Sequence, residues 1–93
     1  MKIAIFGAGQ LAMMMIQADK NALHNYVVID PSSEPPASLY ARHIKSEYNN
    51  PDTINDICAN CDLVTIDFEN IDVSAMQKIE THVPVHPNSK ALE

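Results

Sequence analysis

The first residues whose types and spacing suggest chemistry are Gly7-Ala-Gly-Gln-Leu11, directly after a short apolar run. Gly7 permits a tight turn, and Gly9 lets the backbone approach a ligand without a Cβ in the way. A helix that begins at Gln10 offers N–H groups and a partial positive charge to an anion, usually a phosphate. The pattern is typical of the strand–turn–helix that opens a nucleotide-binding α/β domain. The alternative interpretation is that two glycines simply turn a strand into a helix.

Asp30 is the second candidate, about twenty positions beyond the glycines and at the end of the apolar run Tyr26–Ile29. An acidic residue at this place holds a ribose hydroxyl in dinucleotide-binding folds, because a carboxylate accepts hydrogen bonds from a diol. An Asx turn is equally compatible with the sequence, since Pro31 follows directly. Both interpretations remain open on the sequence alone.

Glu69 and Asn70 form the third candidate, at the end of the apolar stretch Asp62–Phe68. Burying such polar groups unpaired is costly, and ligands of open α/β sheets bind just outside the carboxyl ends of the strands. We therefore predict that Glu69 and Asn70 complete a site that Gly9 and Gln10 begin. The alternative is that they start a polar loop leading to a helix near Ser74.

Strands and helices must alternate to bring these residues together. The sequence predicts a Rossmann-like α/β fold with a mostly parallel sheet of four or five strands, strand order 3-2-1-4, and helices on both faces. Leu11, Met14, Met15 and Ala18 form the predicted apolar face of the first helix. The predicted elements are strands at 3–6, 26–29, 43–48, 62–68 and 83–85 and helices at 10–20, 37–42, 51–60 and 73–81.

Local signals support two of these helices. In the segment 37–42, Leu39 is the expected core contact. Asn50 is the predicted N-cap of the next helix, with Pro51 at its first position.

Composition limits the possible functions. The chain has 93 residues, 46% of them hydrophobic and 19% charged, and its net charge is −6, which fits one globular domain. The acidic balance argues against nucleic acid as a partner, and we expect a cytoplasmic protein that does not bind membranes. Cys58 and Cys61 are spaced C-x-x-C without histidines at ligand spacing, so we predict reduced, metal-free thiols.

Two motifs, Gly7-Ala-Gly-Gln-Leu11 and Asp67-Phe-Glu-Asn70, give the chain a family resemblance. The chain resembles the N-terminal preATP-grasp domain of the 5-(carboxyamino)imidazole ribonucleotide synthases, the PurK-type ATP-grasp enzymes of purine biosynthesis. Asp30-Pro31 matches the family pattern, and the likeness covers almost the whole chain, although Ala12 replaces the usual glycine.

The resemblance implies a carbon–nitrogen ligase that joins bicarbonate to aminoimidazole ribonucleotide, using ATP and magnesium, in a full-length enzyme expected to be a homodimer. It implies that residues 1–93 are a fragment that binds the ribonucleotide through Gly9, Gln10, Leu11, Asp30, Glu69 and Asn70. The fragment is expected to hold no catalytic residue, metal or ATP and to be inactive alone. The competing hypothesis is an NAD(P)-binding Rossmann module of a dehydrogenase or regulator, which the glycines and Asp30 would also suit.

Overall fold

The computed structural model describes residues 1–19, 24–66 and 73–86 of the chain. The predicted Glu69–Asn70 site lies outside these ranges. The elements in chain order are β1 (Lys2–Phe6), α1 (Gln10–Ala18), β2 (Asn25–Ile29), a 3-10 helix (Pro36–Leu39), β3 (Arg42–Ile44), α2 (Pro51–Asn60), β4 (Leu63–Ile66), α3 (Val73–Glu80) and β5 (Val85–His86).

All described strand pairs are parallel, and they form one five-stranded sheet in the order β3-β2-β1-β4-β5. This confirms the predicted order 3-2-1-4, and the fifth strand lies beside β4. Phe6 at the end of β1 lies opposite Ile29 of β2 and Ile66 of β4. The carboxyl ends of the three central strands therefore lie along one edge of the sheet.

Helices cover both faces of the sheet, as predicted. On one face α2 and α3 bury Ile57 and Met76 against Phe6 and Val64. On the other face α1 and the 3-10 helix bury Ala12 and Ala37 against strand residues of β1 and β2. Alternate residues of β1 enter the two clusters because successive side chains of a strand point to opposite faces.

The predicted apolar face of α1 is wrong. Leu11 and Met14 are 62% and 58% exposed, and Met15 and Ala18 are also exposed, whereas Ala12 is fully buried. Met13 and Ile16 pack beside Ala12 against the sheet. The helix is apolar on nearly every side, so periodicity alone does not choose a face, and the small Ala12 side chain is the one that enters the buried cluster with Ile5 and Val28.

The segment after β2 also departs from prediction. A single 3-10 turn over Pro36–Leu39 replaces the expected helix 37–42. Leu39, the expected core contact, is 83% exposed, and Ala37 is the buried residue. Arg42 already pairs with Val27 as the first residue of β3, so the expected helix cannot extend to position 42.

Helix α2 begins and ends where the sequence predicts. The Asn50 side chain accepts a hydrogen bond of 2.9 Å from the Asp52 N–H, and Pro51 occupies the first turn. Cys58 packs partly against the core and Cys61 is the C-cap residue. None of the helices in the described ranges is both long and apolar enough to cross a membrane.

Candidate functional site

The site begins at the turn between β1 and α1. Gly7 has φ 102°, a left-handed conformation that a residue with a Cβ adopts only at a cost. Its N–H donates to the Ile29 carbonyl oxygen at 2.7 Å, so the turn is fixed to the end of β2. Gly7 and Ala8 are buried, and Gly9 is the first partly exposed residue of the turn.

Ala8 is held through both of its polar backbone groups. Its N–H donates to Asp30 Oδ2 at 3.0 Å, and its carbonyl oxygen accepts from the Ala37 N–H at 2.9 Å. The side chain of Ala8 is fully buried. The middle of the glycine turn is therefore bonded to two segments that follow β2.

The start of α1 is suited to an anion. Gly9 is the N-cap residue and has no side chain to cap the helix, and the first intrahelical bond runs from the Met13 N–H to the Gly9 carbonyl at 3.1 Å. The N–H groups of Gln10 and Leu11 consequently have no acceptor within the helix, and both residues are exposed. Such a helix end attracts a phosphate or carboxylate through its N–H groups and its dipole.

Asp30 lies at the carboxyl end of β2, as predicted, and it forms the Asx turn that the sequence allowed. Oδ1 accepts from the Ser32 N–H at 2.8 Å, while Oδ2 accepts from Ala8. The backbone of Asp30 is tied to β3, because its N–H donates to the Ile44 carbonyl at 3.2 Å and His43 Nε2 lies 3.0 Å from its carbonyl oxygen. Each carboxylate oxygen of Asp30 thus already has a partner within the chain.

These contacts set the ionisation of Asp30. Its burial would raise the pKa, but hydrogen bonds from Ser32 and from the Ala8 N–H, with a smaller effect of the nearby His43, lower the pKa below the usual 3.8. Hydrogen bonds to a carboxylate favour its charged form. Asp30 is therefore ionised at neutral pH beside the glycine turn.

The predicted site residues are only partly brought together by the described structure. The Gly9–Leu11 turn and Asp30 meet at the carboxyl edge of β1 and β2. Glu69 and Asn70 lie outside the described residues, but β4, which precedes them, is the parallel neighbour of β1. Sequence reasoning missed Ala37 as a partner of the turn, because nothing in its type marks a backbone contact 29 positions from Ala8.

The cysteines lie on the opposite face from α1, and both are free thiols. Burial raises the pKa of Cys58, and burial is also the main cause of the raised pKa of Cys61. Among the described residues, no group of three or more histidine, cysteine, aspartate or glutamate side chains is placed to hold a metal ion.

Comparison with known proteins gives a consistent result. A family model described as the ribonucleotide synthetase preATP-grasp domain matches residues 1–93. The N5-carboxyaminoimidazole ribonucleotide synthase of Pseudomonas aeruginosa is 30% identical over 92 residues, which cover 99% of this chain and 26% of the relative.

Solved structures of the same kind of synthase also resemble this chain. The N5-carboxyaminoimidazole ribonucleotide synthetase of Thermus thermophilus superposes with a TM-score of 0.89 at 31% identity, covering 97% of this chain and 25% of that chain. The Staphylococcus aureus N5-carboxyaminoimidazole synthetase complexed with ADP gives a TM-score of 0.88 at 29% identity, covering 98% and 25%. The chain therefore spans about a quarter of the length of the relatives that it matches.

Proposed function

Because the chain belongs to the ribonucleotide synthetase preATP-grasp family, we propose that it forms the N-terminal, substrate-binding domain of an ATP-dependent 5-(carboxyamino)imidazole ribonucleotide synthase. The observation that carries the proposal is the match of residues 1–93 to the family model, together with the match of 92 residues to an N5-carboxyaminoimidazole ribonucleotide synthase. The full-length enzyme joins bicarbonate to the amine of aminoimidazole ribonucleotide and converts ATP to ADP and phosphate. This is a step of purine biosynthesis, and we place the enzyme in the cytoplasm.

The described edge of the sheet supports a ribonucleotide as the ligand of this domain. The phosphate would bind at the N-terminus of α1, where the N–H groups of Gln10 and Leu11 have no helical acceptor. Gly9, without a Cβ, leaves room for it. Asp30, Glu69 and Asn70 would form the rest of the site. The carboxylates of Asp30 and Glu69 suit ribose hydroxyls or the exocyclic amine but not the phosphate, because like charges repel.

The proposal places ATP, its magnesium and the catalytic residues in the remaining three quarters of the full-length enzyme, because the matching family is named for a domain that precedes the ATP-grasp part and the chain spans about a quarter of its relatives. We expect the full-length enzyme to be a homodimer. The 93-residue domain supplies binding and orientation of the ribonucleotide and is inactive by itself.

The proposal is tested by the substitution Glu69→Gln in the full-length protein, which keeps the shape of the side chain and removes its charge. Losing one hydrogen bond to a charged group costs roughly 1.5–3 kcal/mol, so the KM for aminoimidazole ribonucleotide should rise about ten- to a hundredfold. The KM for ATP should stay nearly unchanged, because ATP binds elsewhere. Steady-state kinetics with each substrate varied separately measures both constants.

A matched control is Asp56→Asn, which removes one negative charge from the exposed surface of α2. This variant should leave both Michaelis constants unchanged, which excludes a general effect of net charge. If Glu69→Gln weakens ATP binding and spares the ribonucleotide, the domain has been assigned to the wrong substrate.

A further inference from the structure

The side chain of His43 reaches from β3 to the main chain of Asp30. In the parallel pairing of β2 with β3, His43 lies opposite Val28, and Asp30 follows two residues later, just past the end of β2. His43 Nε2 lies 3.0 Å from the Asp30 carbonyl oxygen. Because a carbonyl oxygen can only accept, Nε2 carries the hydrogen and donates it to Asp30.

This bond adds to two others that hold the Asp30 main chain. The Asp30 N–H donates to the Ile44 carbonyl oxygen at 3.2 Å, and the Ser46 N–H donates to the Asp30 carbonyl oxygen at 3.4 Å. Both of those bonds join backbone atoms, whereas His43 supplies a side-chain donor at a shorter distance. Pro31 follows and has no N–H to donate, so the pairing of β2 with β3 gains no bond from that residue. The His43 ring therefore strengthens the hold on Asp30 where the regular pairing stops.

The carboxylate of Asp30 retains acceptor capacity for a ligand. Oδ1 accepts from the Ser32 N–H and Oδ2 from the Ala8 N–H, and each oxygen of a carboxylate has two lone pairs. Asp30 is only half-buried, so part of its surface is open to solvent. Hydrogen bonds to a ribose require the two oxygens at a set place, and a shift of the Asp30 main chain would move both of them.

Resting on the proposed function, we infer that His43 is a positioning residue: by holding the Asp30 carbonyl oxygen, its ring keeps the Asp30 carboxylate in the orientation that accepts the ribose hydroxyls of the ribonucleotide. His43 acts through Asp30, while the hydrogen bonds to the ribose are made by the carboxylate.

The inference is tested in the full-length protein with two substitutions of His43. His43→Leu removes the donor, and His43→Gln keeps an N–H donor on a side chain of similar reach. We expect His43→Leu to raise the KM for aminoimidazole ribonucleotide about three- to tenfold, as for loss of one neutral hydrogen bond, with the KM for ATP unchanged. His43→Gln should recover most of the loss. An unchanged KM for the ribonucleotide in His43→Leu, or an equal rise in both variants, would overturn the inference.

A double substitution separates positioning from a general effect on the fold. When Asp30→Asn has already removed the charged acceptor, adding His43→Leu should raise the KM for the ribonucleotide by less than about twofold. Effects of the two substitutions that multiply in full would show that His43 acts independently of Asp30, and the inference would fail. The matched control is His82→Leu, the same change at an exposed position after α3, which should leave both Michaelis constants as they are. A comparable rise in this control would also contradict the inference.

A measurement on the unmodified full-length protein covers the case in which His43→Leu does not fold. Nitrogen-15 NMR of the imidazole rings, with the His43 signals assigned through His43→Gln, should show a hydrogen on Nε2 of His43 both with and without the ribonucleotide. A His43 ring that carries its hydrogen on Nδ1 alone would overturn the inference. Failure of the proposed function looks different: the unmodified protein would then not bind aminoimidazole ribonucleotide, while Nε2 would still carry its hydrogen.

Discussion

At the scale of single residues, Asp30 makes the stability of the fold depend on pH. Its folded pKa lies below the unfolded value of 3.8, so its contribution is complete above that value and is lost as the pH falls through the folded pKa. We expect Asp30→Asn in the 93-residue chain to lower the free energy of unfolding at about pH 7 by roughly 1–3 kcal/mol, and by less at about pH 3. Urea titrations at both pH values measure this, and a difference independent of pH would contradict the assignment.

The two cysteines carry a prediction about reactivity. Burial raises the pKa of both thiols, and the thiolate is the reactive form, so alkylation by iodoacetamide should be slower than that of free cysteine. Cys61 is buried and Cys58 is half-buried, so Cys61 should react last. Mass spectrometry follows the two sites, and the urea-unfolded chain, in which both should react quickly, is the control. A native disulfide or stoichiometric zinc would refute the predicted reduced, metal-free state.

For single residues, the residue type predicted the place of a side chain in the fold better than it predicted the hydrogen-bond partners of that side chain. The acid at position 30 and the proline after it indicated a strand end and an Asx turn, and the bond from the Ser32 N–H confirms the turn. The bond to Ala8 could not be predicted, because it depends on how β1 and β2 pair and not on any local pattern.

At the scale of elements, the N-cap of α2 is the clearest case for a stability measurement. Asn50→Ala removes the acceptor of the Asp52 N–H and should lower the free energy of unfolding by about 0.5–2 kcal/mol. Asn55→Ala is the control, at an exposed position inside the same helix, and it should be neutral or slightly stabilising because alanine is the better helix former. Denaturant unfolding compares the two variants, and equal losses would mean that the cap does not stabilise α2.

The orientation of α1 gives a second prediction for an element. Ala12 is fully buried and Met14 is 58% exposed, so Ala12→Leu should overpack the core and cost about 1–3 kcal/mol, while Met14→Gln should change stability by less than about 0.5 kcal/mol. Urea unfolding of both variants checks the order of the two effects. The reverse order would place the predicted stripe of Leu11 and Met14 in the core.

The contrast between α1 and α2 shows what a hydrophobic pattern in the sequence can predict about a helix. In α2, polar residues lie between Ile54, Ile57 and Cys58, and Asn50-Pro51 marks the start. The sequence therefore predicts both the ends of this helix and the face that it buries. In α1, apolar residues occupy most positions, so the bounds follow from the glycines but the buried face follows only from contact with the sheet.

At the scale of the whole molecule, the strand order was predictable because few connections are allowed. Apolar strands separated by helices require parallel pairing with right-handed crossovers, and the position of the glycine turn makes the first strand central. The structure has this order, with β5 beside β4. The site as a whole was less predictable, since its described half depends on hydrogen bonds between loops that are distant in sequence.

The last prediction concerns the 93-residue chain as an isolated protein. It matches a domain whose family name places it before the ATP-grasp part, and it spans about a quarter of its relatives. We therefore expect the pure chain to release no phosphate from ATP, with or without aminoimidazole ribonucleotide and bicarbonate. The full-length protein, purified in the same way, is the control and should release phosphate only when the ribonucleotide is present. Ribonucleotide-dependent phosphate release by the pure 93-residue chain would refute the assignment of catalysis to the rest of the enzyme, because the domain would then bind ATP itself.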